Sequence, residues 1–193
     1  LLNKKVDVKF ISITFFHSSI LILIDNNEHS LYLINQELQQ KIKNGTYIFP
    51  KLINAKEESS LNDVFKEYKI NIIFHAAAYK HVPLVEINPL EGIENNVFAT
   101  LAICKLADNY GVDKLLLISS DKAVRPTNVM GVTKRLSELI VQNFANRSKS
   151  TLFSIVRFGN VLDSSGSVVP LFKQQIKKGG PITITHPNVI RYF

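Results

Sequence analysis

The sequence has a single cysteine and no long uninterrupted hydrophobic run. One cysteine among 193 residues excludes an internal disulfide framework and fits a reducing compartment, so we expect a cytoplasmic protein. The longest apolar stretch, Phe10–Ile24, is shorter than a membrane-spanning helix requires and contains serine, threonine and histidine. No small-residue cleavage site follows it, as a signal peptide would require. The sequence therefore predicts no membrane segment in this chain.

Glycine is missing from the first part of the chain, where none precedes Gly45. A Rossmann unit opens with a strand, a Gly-rich turn and a helix that together bind phosphate. If residues 8–15 and 20–24 are both strands, only about four residues join them, whereas a parallel crossover needs roughly a dozen. We therefore expect residues 1–19 to be an atypical N-terminal segment without the usual first strand, Gly-rich loop and helix.

Acidic residues are scarce in the last third of the chain. Residues 1–120 carry 12 basic and 13 acidic side chains, whereas residues 121–193 carry 11 basic and 3 acidic ones, for a total net charge of +7. A basic region favours an anionic partner, although a solvated basic surface explains it equally well. The basic residues are scattered and no aromatic residues interleave with them. We therefore expect a phosphate-bearing small molecule rather than nucleic acid.

Short apolar runs alternate with longer amphipathic stretches along the rest of the chain. The runs are residues 20–24, 70–75, 114–119 and 152–158, and the amphipathic stretches are residues 28–43, 59–68, 88–110, 128–147 and 167–178. Runs that are apolar throughout indicate strands buried on both faces, hence a parallel sheet covered by helices. Gly111 is typical of a helix end and Asn128 of a helix N-cap. The sequence predicts an α/β fold with a Rossmann-like, doubly wound parallel sheet.

The first two predicted strands end in residues suited to a dinucleotide. Asp25 follows one of them, where an acidic side chain typically accepts the adenosine ribose hydroxyls, although Asp-Asn-Asn is also an ordinary turn. The stretch after residues 70–75 contains Ala76, Ala77, Ala78, Tyr79, Lys80 and His81. Its alanines let a flat ligand approach the backbone, and its last three residues add polar groups. We interpret His75 as structural and expect no metal site, because no helical His/Glu pair lies nearby.

The run at residues 114–119 is followed by the densest group of reactive side chains. The group consists of Ser120, Asp121, Lys122, Met130 and Lys134. Its last two members lie one turn apart on a predicted helix, and converging carboxylate and amine groups can shift one another's pKa toward acid–base work. Many nicotinamide-dependent enzymes carry a tyrosine acid–base at the Met130 position, and methionine cannot carry a proton. A capping aspartate with surface lysines is the alternative interpretation.

The loop at residues 159–166 follows the last predicted strand. It contains two glycines and two serines, and Ser167 follows at the start of a predicted helix. A loop that exposes its backbone at a helix N-terminus suits a bound phosphate, although a plain surface loop has the same composition.

These segments together resemble the extended short-chain dehydrogenase/reductase superfamily. More narrowly, they resemble the bacterial polysaccharide-biosynthesis nucleotide-sugar 4,6-dehydratases that act on UDP-N-acetylglucosamine. The resemblance covers residues 20–193 and is carried mainly by "FHAAAYKHVPLVEINPLEGIENNVFAT", "LLLISSDKAVRPTNVMGVTKR" and "RFGNVLDSSGSVVPLFKQQIKKGGPITITHP". One branch of that family carries methionine at the Met130 position. The resemblance implies that residues 20–193 are a partial NAD(P)-binding domain running into the start of the substrate-binding region.

The resemblance also implies a dehydration. Bound NAD(P)+ would take a hydride from sugar C4, water would be lost across C5 and C6, and the hydride would return to C6. Asp121 would be the acid for the C6 hydroxyl, Lys122 the base for the C5 proton, and Ser120 a hydrogen-bond partner of the C4 hydroxyl. Lys134 would hold the nicotinamide ribose. With Met130 in place of tyrosine, Asp121 is our candidate to accept the C4 hydroxyl proton.

Further positions follow from the same resemblance. Asn54 takes the place of an acidic residue that meets adenine, and Asp163 replaces a glycine near the expected diphosphate. The implied cofactor-binding residues are Asp25, Asn54, Ala76, Ala77, Ala78 and Lys134, and the implied substrate-binding residues are Tyr79, Lys80, His81, Asn96, Arg157 and Asn160. Asp25 favours NAD over NADP because a carboxylate repels a 2′-phosphate.

Two alternatives to a dehydratase stay open. One is a nucleotide-sugar 4-epimerase of the same superfamily, and the other is an inactive, truncated remnant that serves as an interaction module. The missing Gly-rich loop favours the remnant, whereas the Ser-Asp-Lys and Met-x-x-x-Lys residues favour an enzyme. For the enzyme we expect a UDP-sugar substrate and leave a homo-oligomer open. Family members often carry N-terminal membrane helices, and this chain is expected to lack most of the C-terminal substrate region.

Overall fold

The computed structural model describes residues 19–42, 45–159 and 168–184. The described residues fall into two compact units, one that ends at Arg157 and one that includes residues 168–184. The strands are β1 (Ile20–Asp25), β2 (Tyr47–Leu52), β3 (Ile72–His75), β4 (Lys114–Ser120) and β5 (Leu152–Phe158). The helices are α1 (Glu28–Lys41), α2 (Glu58–Glu67), α3 (Val82–Ile87), α4 (Pro89–Ile93), α5 (Ala99–Asn109), α6 (Val129–Arg147) and α7 (Val168–Lys177). The expectations for residues 1–18, Asn160 and Asp163 concern positions outside the described residues.

The strands form parallel sheets, as the sequence predicts. β1 pairs with β2 from Ile20 opposite Tyr47 to Asp25 opposite Leu52, and β3 pairs with β4 from Ile72 opposite Lys114. β5 is hydrogen-bonded to β4 on its other edge. Within the described ranges these strands make two sheets, β1-β2 and β3-β4-β5, rather than the single sheet expected from the sequence. The α/β alternation along the chain is confirmed.

The core lies where α2, α5 and α6 cover the β3-β4-β5 sheet. Its most deeply buried members include Leu61, Leu106, Leu115, Leu117 and Val141, each at most 3% exposed. The strand residues alternate with neighbours that are less buried, which follows from the period-two geometry of a strand. This packing holds the carboxyl end of β4 against α6, where the densest reactive group of the sequence lies.

Helix ends follow the capping signals of the sequence. Asn128 caps α6, because its side-chain oxygen accepts a hydrogen bond of 2.8 Å from the Gly131 amide. Gly111 ends α5 with a φ of 63°, a left-handed conformation that glycine adopts without strain. Both predictions are confirmed. They fix where α6 starts and where the chain turns into β4.

Two elements are missing from the sequence-based prediction. β2 contains Pro50, which pairs with Leu23 in the parallel register. Proline is tolerated there because β2 has a neighbour on one edge only within the described residues. α3 occupies part of the stretch interpreted as a loop after β3, and it starts with a proline in its first turn.

The amphipathic stretch 88–110 is not one regular helix. A π-helical turn, Glu94–Phe98, separates α4 from α5. Such turns insert one residue into a helix and re-aim its side chains, often at functional sites. In the part of the chain that the structure describes, no helix combines the length and the hydrophobicity needed to cross a bilayer.

Candidate active site

The turn after β4 brings Ser120, Asp121 and Lys122 into one hydrogen-bonded group. The Ser120 hydroxyl donates to Asp121 Oδ1 at 2.9 Å, and the Lys122 ammonium donates to the same oxygen at 3.0 Å. Ser120 Oγ also accepts a hydrogen bond of 3.2 Å from the Lys122 amide, which caps the short 3₁₀ turn Asp121–Ala123. The group lies at the carboxyl end of a parallel strand, where ligands bind in open α/β sheets.

The charge state of Asp121 follows from its partners. Partial burial raises the pKa of its carboxyl group, but the hydrogen bonds from Lys122 and Ser120 outweigh that effect, and the net pKa is below the ordinary 3.8. Asp121 is therefore an ionised carboxylate at neutral pH. It can serve as an acid only after it has received a proton, whereas it can accept one immediately.

Met130 and Lys134 lie on the buried face of α6. Both side chains are almost fully buried, at 3% and 7% exposure. The Lys134 ammonium donates a hydrogen bond of 2.7 Å to the carbonyl of Ile118, near the end of β4. The start of the helix is fixed further by Glu86, whose carboxylate accepts from the Val129 amide at 3.0 Å. The thioether of Met130 therefore occupies a packed position beside this strand end.

Because Gly131 has no side chain, the first turn of α6 can contact the turn formed by Ser120, Asp121 and Lys122, which we call the reactive turn. A Cβ atom at this position would lie 2.4 Å from the carbonyl oxygen of Lys122 and 3.1 Å from Cβ of Pro126. Backbone atoms cannot give way as a flexible side chain can, so any larger residue must displace the helix or the turn. Nearby Arg125 has a φ of 48°, an unusual conformation for a residue other than glycine or asparagine.

The predicted nucleoside-binding residues meet at a second position. Asp25, Asn54 and Ala77 line one small pocket, with a cavity volume of about 30 Å³, together with Ile24, Asn26, Ile53, Ala55 and Asn95. The sheet topology explains this, because each of the three lies at the carboxyl end of a parallel strand or within two residues of it. Asp25 also accepts from the Asn27 amide at 2.8 Å, so its ordinary turn function is present as well.

Asn96 is a buried residue that holds the loop after β3. It is 1% exposed, and its side-chain oxygen accepts from the Tyr79 amide at 2.7 Å while its nitrogen donates to the Tyr79 carbonyl at 3.1 Å. The same nitrogen donates to Thr133 Oγ1, and the Asn95 side chain donates to the Asn96 side-chain oxygen. All hydrogen-bonding positions of the Asn96 side chain are therefore occupied. Asn96 fixes the loop after β3, and its predicted contact with the substrate stays a prediction.

The loop that Asn96 fixes carries the remaining predicted residues after β3. Ala76 and Ala78 are partly buried, Ala77 is exposed, and Tyr79, Lys80 and His81 are exposed. Their predicted contacts with cofactor and substrate stay predictions. The loop has a defined shape because Tyr79 is anchored through both its amide and its carbonyl.

His75 is a buried histidine at the end of β3, which agrees with its interpretation as structural. Its Nε2 lies 2.9 Å from the hydroxyl of Thr100, which itself donates to the Asn96 carbonyl at 2.6 Å. Since that hydroxyl proton is already used, His75 donates through Nε2 and is neutral. Burial first, and the nearby cation of Lys134 second, lower its pKa to about 3. No group of three metal-ligating side chains occurs among the described residues.

Glu138 is the functional candidate that sequence reasoning missed. Its carboxylate is fully buried and accepts hydrogen bonds from Ser119 at 2.6 Å, from Arg135 at 3.0 Å and from Arg157 at 2.8 and 2.7 Å. Burial alone raises its pKa, but these donors lower it to about 2. Arg157, which is predicted to contact the substrate, thus donates two hydrogen bonds to Glu138 and links β5 to α6. A lone acidic residue on a helix gives no motif, so the sequence carried no signal for it.

A larger groove, of about 490 Å³, lies at the opposite end of the β3-β4-β5 sheet. It is lined by Phe65, Lys66, Tyr68, Lys69, Ile70, Asn71, Tyr110, Gly111 and Asp113, which surround the amino ends of β3 and β4. No predicted site residue lines it. The reactive side chains and this groove are therefore at opposite ends of the strands.

The chain is similar to known proteins over most of its length. A family model described as "Polysaccharide biosynthesis protein" matches residues 9–193. The chain is 46% identical to the capsular polysaccharide biosynthesis protein CapD of Staphylococcus aureus, over 90% of this chain and 29% of that protein. It is 44% identical to a UDP-glucose 4-epimerase of Rickettsia rickettsii, over 74% of this chain and 44% of that protein. The chain thus spans less than half the length of these curated relatives.

A solved structure supports the fold. The X-ray structure of Pen from Bacillus thuringiensis superposes with a TM-score of 0.79 at 34% sequence identity, covering 87% of this chain and 52% of that chain. This agreement over most of the chain supports the α/β fold predicted from the sequence.

Proposed function

This chain belongs to the polysaccharide biosynthesis protein family, and we propose that it carries the reactive turn of a nucleotide-sugar 4,6-dehydratase acting on UDP-N-acetylglucosamine. The observation that carries the proposal is the Asp121–Lys122 pair, held at 3.0 Å at the carboxyl end of β4. Loss of water across C5 and C6 needs one group to protonate the departing hydroxyl and another to take the C5 proton. A carboxylate and an amine side by side supply both.

A nicotinamide cofactor fits the residues present at its nucleoside end. Asp25, Asn54 and Ala77 share a pocket that offers a carboxylate and an amide to ribose and base, and the Asp25 carboxylate favours NAD over NADP. We propose that Lys134, which lies beside the end of β4, holds the nicotinamide ribose. When bound, the cofactor supplies a reversible hydride acceptor for sugar C4. This sequence contains no Gly-rich turn that would bind the cofactor diphosphate, since no glycine precedes Gly45.

The proton transfers can be assigned to this chain's own residues. Asp121, ionised at neutral pH, accepts the C4 hydroxyl proton, which Met130 cannot do. The same proton then goes to the C6 hydroxyl as it leaves as water. The Lys122 amine nitrogen takes the C5 proton and returns it to C5 when C6 is reduced. All protons are accounted for.

Deuterium incorporation tests this assignment. The chain is first titrated with NAD by calorimetry and then incubated with NAD and UDP-N-acetylglucosamine in D₂O. Because the Lys122 amine exchanges its protons with solvent, the 6-deoxy-4-keto product should carry deuterium at C5 by NMR. Lys122→Met should lose this product, and Lys66→Met, an exposed lysine at the other end of the sheet, should retain it.

The second candidate is a UDP-sugar 4-epimerase, favoured by the similarity to the Rickettsia rickettsii protein of that name. Epimerisation inverts C4 and breaks no bond at C5 or C6, so it gives a C4 epimer without solvent deuterium. Epimerisation needs one group for the C4 hydroxyl proton, whereas the Asp121–Lys122 pair supplies a second group for the C5 proton, which is why we favour the dehydratase.

A third candidate is a non-catalytic remnant that serves as an interaction module. In that case the calorimetric titration gives no heat of NAD binding and UDP-N-acetylglucosamine is recovered unchanged. Cofactor binding with turnover would exclude this candidate.

A further inference from the structure

Helix α6 contacts the end of β4 and the reactive turn at three successive turns. Gly131 lies against the Lys122 carbonyl, Lys134 donates to the Ile118 carbonyl, and Glu138 accepts from the Ser119 hydroxyl. Lys134 and Glu138 are four residues apart and therefore share one face of the helix. They hold two consecutive strand residues immediately before Ser120. From this geometry we infer that Glu138 is a positioning residue that sets the place of the Ser120–Lys122 turn.

The hydrogen bonds of Glu138 make it a rigid anchor. Four donors from three side chains fill its carboxylate, and the side chain is 0% exposed. Ser119 comes from β4, Arg157 from β5 and Arg135 from α6 itself, so one carboxylate ties three elements together. The two guanidinium groups offset its buried charge, as a buried ion requires. A carboxylate held in this way has one fixed position. Its hydrogen bond from the Ser119 hydroxyl therefore fixes the Ser119 side chain as well.

The geometry of a strand carries the constraint from Ser119 to the reactive turn. Successive side chains of a strand point to opposite faces, so holding the Ser119 hydroxyl toward α6 directs Ser120 to the other face. There Ser120 donates to Asp121 and caps the Lys122 amide. A rotation of Ser119 away from α6 would rotate Ser120 as well and open this group. Glu138 thus acts on the turn through Ser119, without touching a reacting atom.

This inference rests on the proposed function only in naming Asp121 and Lys122 as the proton-transfer pair. The positioning itself can be measured on the protein without cofactor or substrate. If no turnover is found, the measurement below still decides whether Glu138 places the turn.

The experiment measures solvent exchange of single backbone amides by NMR at neutral pH. The reporter is the Val124 amide, which donates to the Asp121 carbonyl at 3.0 Å and closes the turn. The reference is the Tyr68 amide at the remote end of α2, which donates to Val64 at 2.9 Å. Variants are Ser119→Ala, which deletes the bond to Glu138, and Ser119→Thr, which keeps the hydroxyl. Ser60→Ala is the matched control, because it deletes another serine–glutamate bond, to Glu57 on α2.

We expect Val124 exchange to accelerate about tenfold in Ser119→Ala, the effect of losing one hydrogen bond to a charged group. Exchange of Tyr68 should stay unchanged, and Ser119→Thr and Ser60→Ala should match the wild type at both amides. Equal acceleration at both amides, or none at Val124, would overturn the inference. Glu138→Gln should also accelerate Val124 exchange selectively, and if that variant does not fold, Ser119→Ala decides alone.

Discussion

Replacing Glu138 by glutamine measures how much of the acid sensitivity of this fold resides in one buried carboxylate. Burial raises the pKa of Glu138, but Arg157, Ser119 and Arg135 outweigh it and lower the pKa from 4.5 to about 2. A pKa lowered on folding contributes stability that is fully present above the unfolded value of 4.5 and is lost as pH falls through about 2. The lowering corresponds to about 3 kcal/mol of unfolding free energy at neutral pH.

The assay is urea unfolding of the wild type and Glu138→Gln from neutral pH down through that window. We expect the difference in unfolding free energy to be about 3 kcal/mol above pH 4.5 and to shrink toward zero near pH 2. Other titrating groups affect both proteins and cancel in the difference. The control, Glu37→Gln, breaks an exposed pair with Lys41 and should change stability by about 0.5 kcal/mol or less. A difference that does not depend on pH would refute the reasoning.

Three further perturbations test other parts of the site. His75 has a pKa of about 3 because it is buried, so stability should fall as pH drops from 6.5 toward 3, and His75→Asn should flatten the urea midpoint against pH in that window. Gly131→Ala should destabilise the fold by about 1–2 kcal/mol despite alanine's helix preference, since its Cβ meets the Lys122 carbonyl. At Gly92 the added Cβ would contact a side-chain methyl of Val85 rather than backbone, so Gly92→Ala should destabilise the fold less. A Gly131→Ala variant more stable than the wild type would contradict this reasoning. Arg125→Asn should raise the free energy of unfolding by about 0.5–1 kcal/mol by relieving the positive φ, whereas Arg125→Ala should not.

The regular parts of the fold could be predicted because their causes are local. Runs that are apolar throughout identify β1, β3, β4 and β5, and the capping residues Asn128 and Gly111 mark helix ends. β2 escaped prediction because Pro50 normally argues against a strand, and only its place at the edge of a sheet removes that objection. The π-helical turn Glu94–Phe98 escaped because the insertion of one residue leaves no periodic signal in the sequence.

The site could be predicted in part for a similar reason. Ser120, Asp121 and Lys122 are adjacent in sequence, so their grouping needed no knowledge of the fold. Glu138 and Arg157 are 19 residues apart and meet only when α6 packs beside β5. Asn96 matched a family position, but its burial depends on how the loop after β3 folds back over α5 and α6. Interactions of this kind arise from tertiary packing, so the spacing of the residues in the sequence does not indicate them.

The account's central claim is that the Ser120–Lys122 turn eliminates water from a nucleotide sugar. The most direct measurement is mass spectrometry of UDP-N-acetylglucosamine after incubation with the chain and NAD. The account predicts a product lighter than the substrate by the mass of one water, absent in Asp121→Asn and Lys122→Met. Substrate recovered at unchanged mass, as unreacted sugar or as its C4 epimer, would contradict the claim.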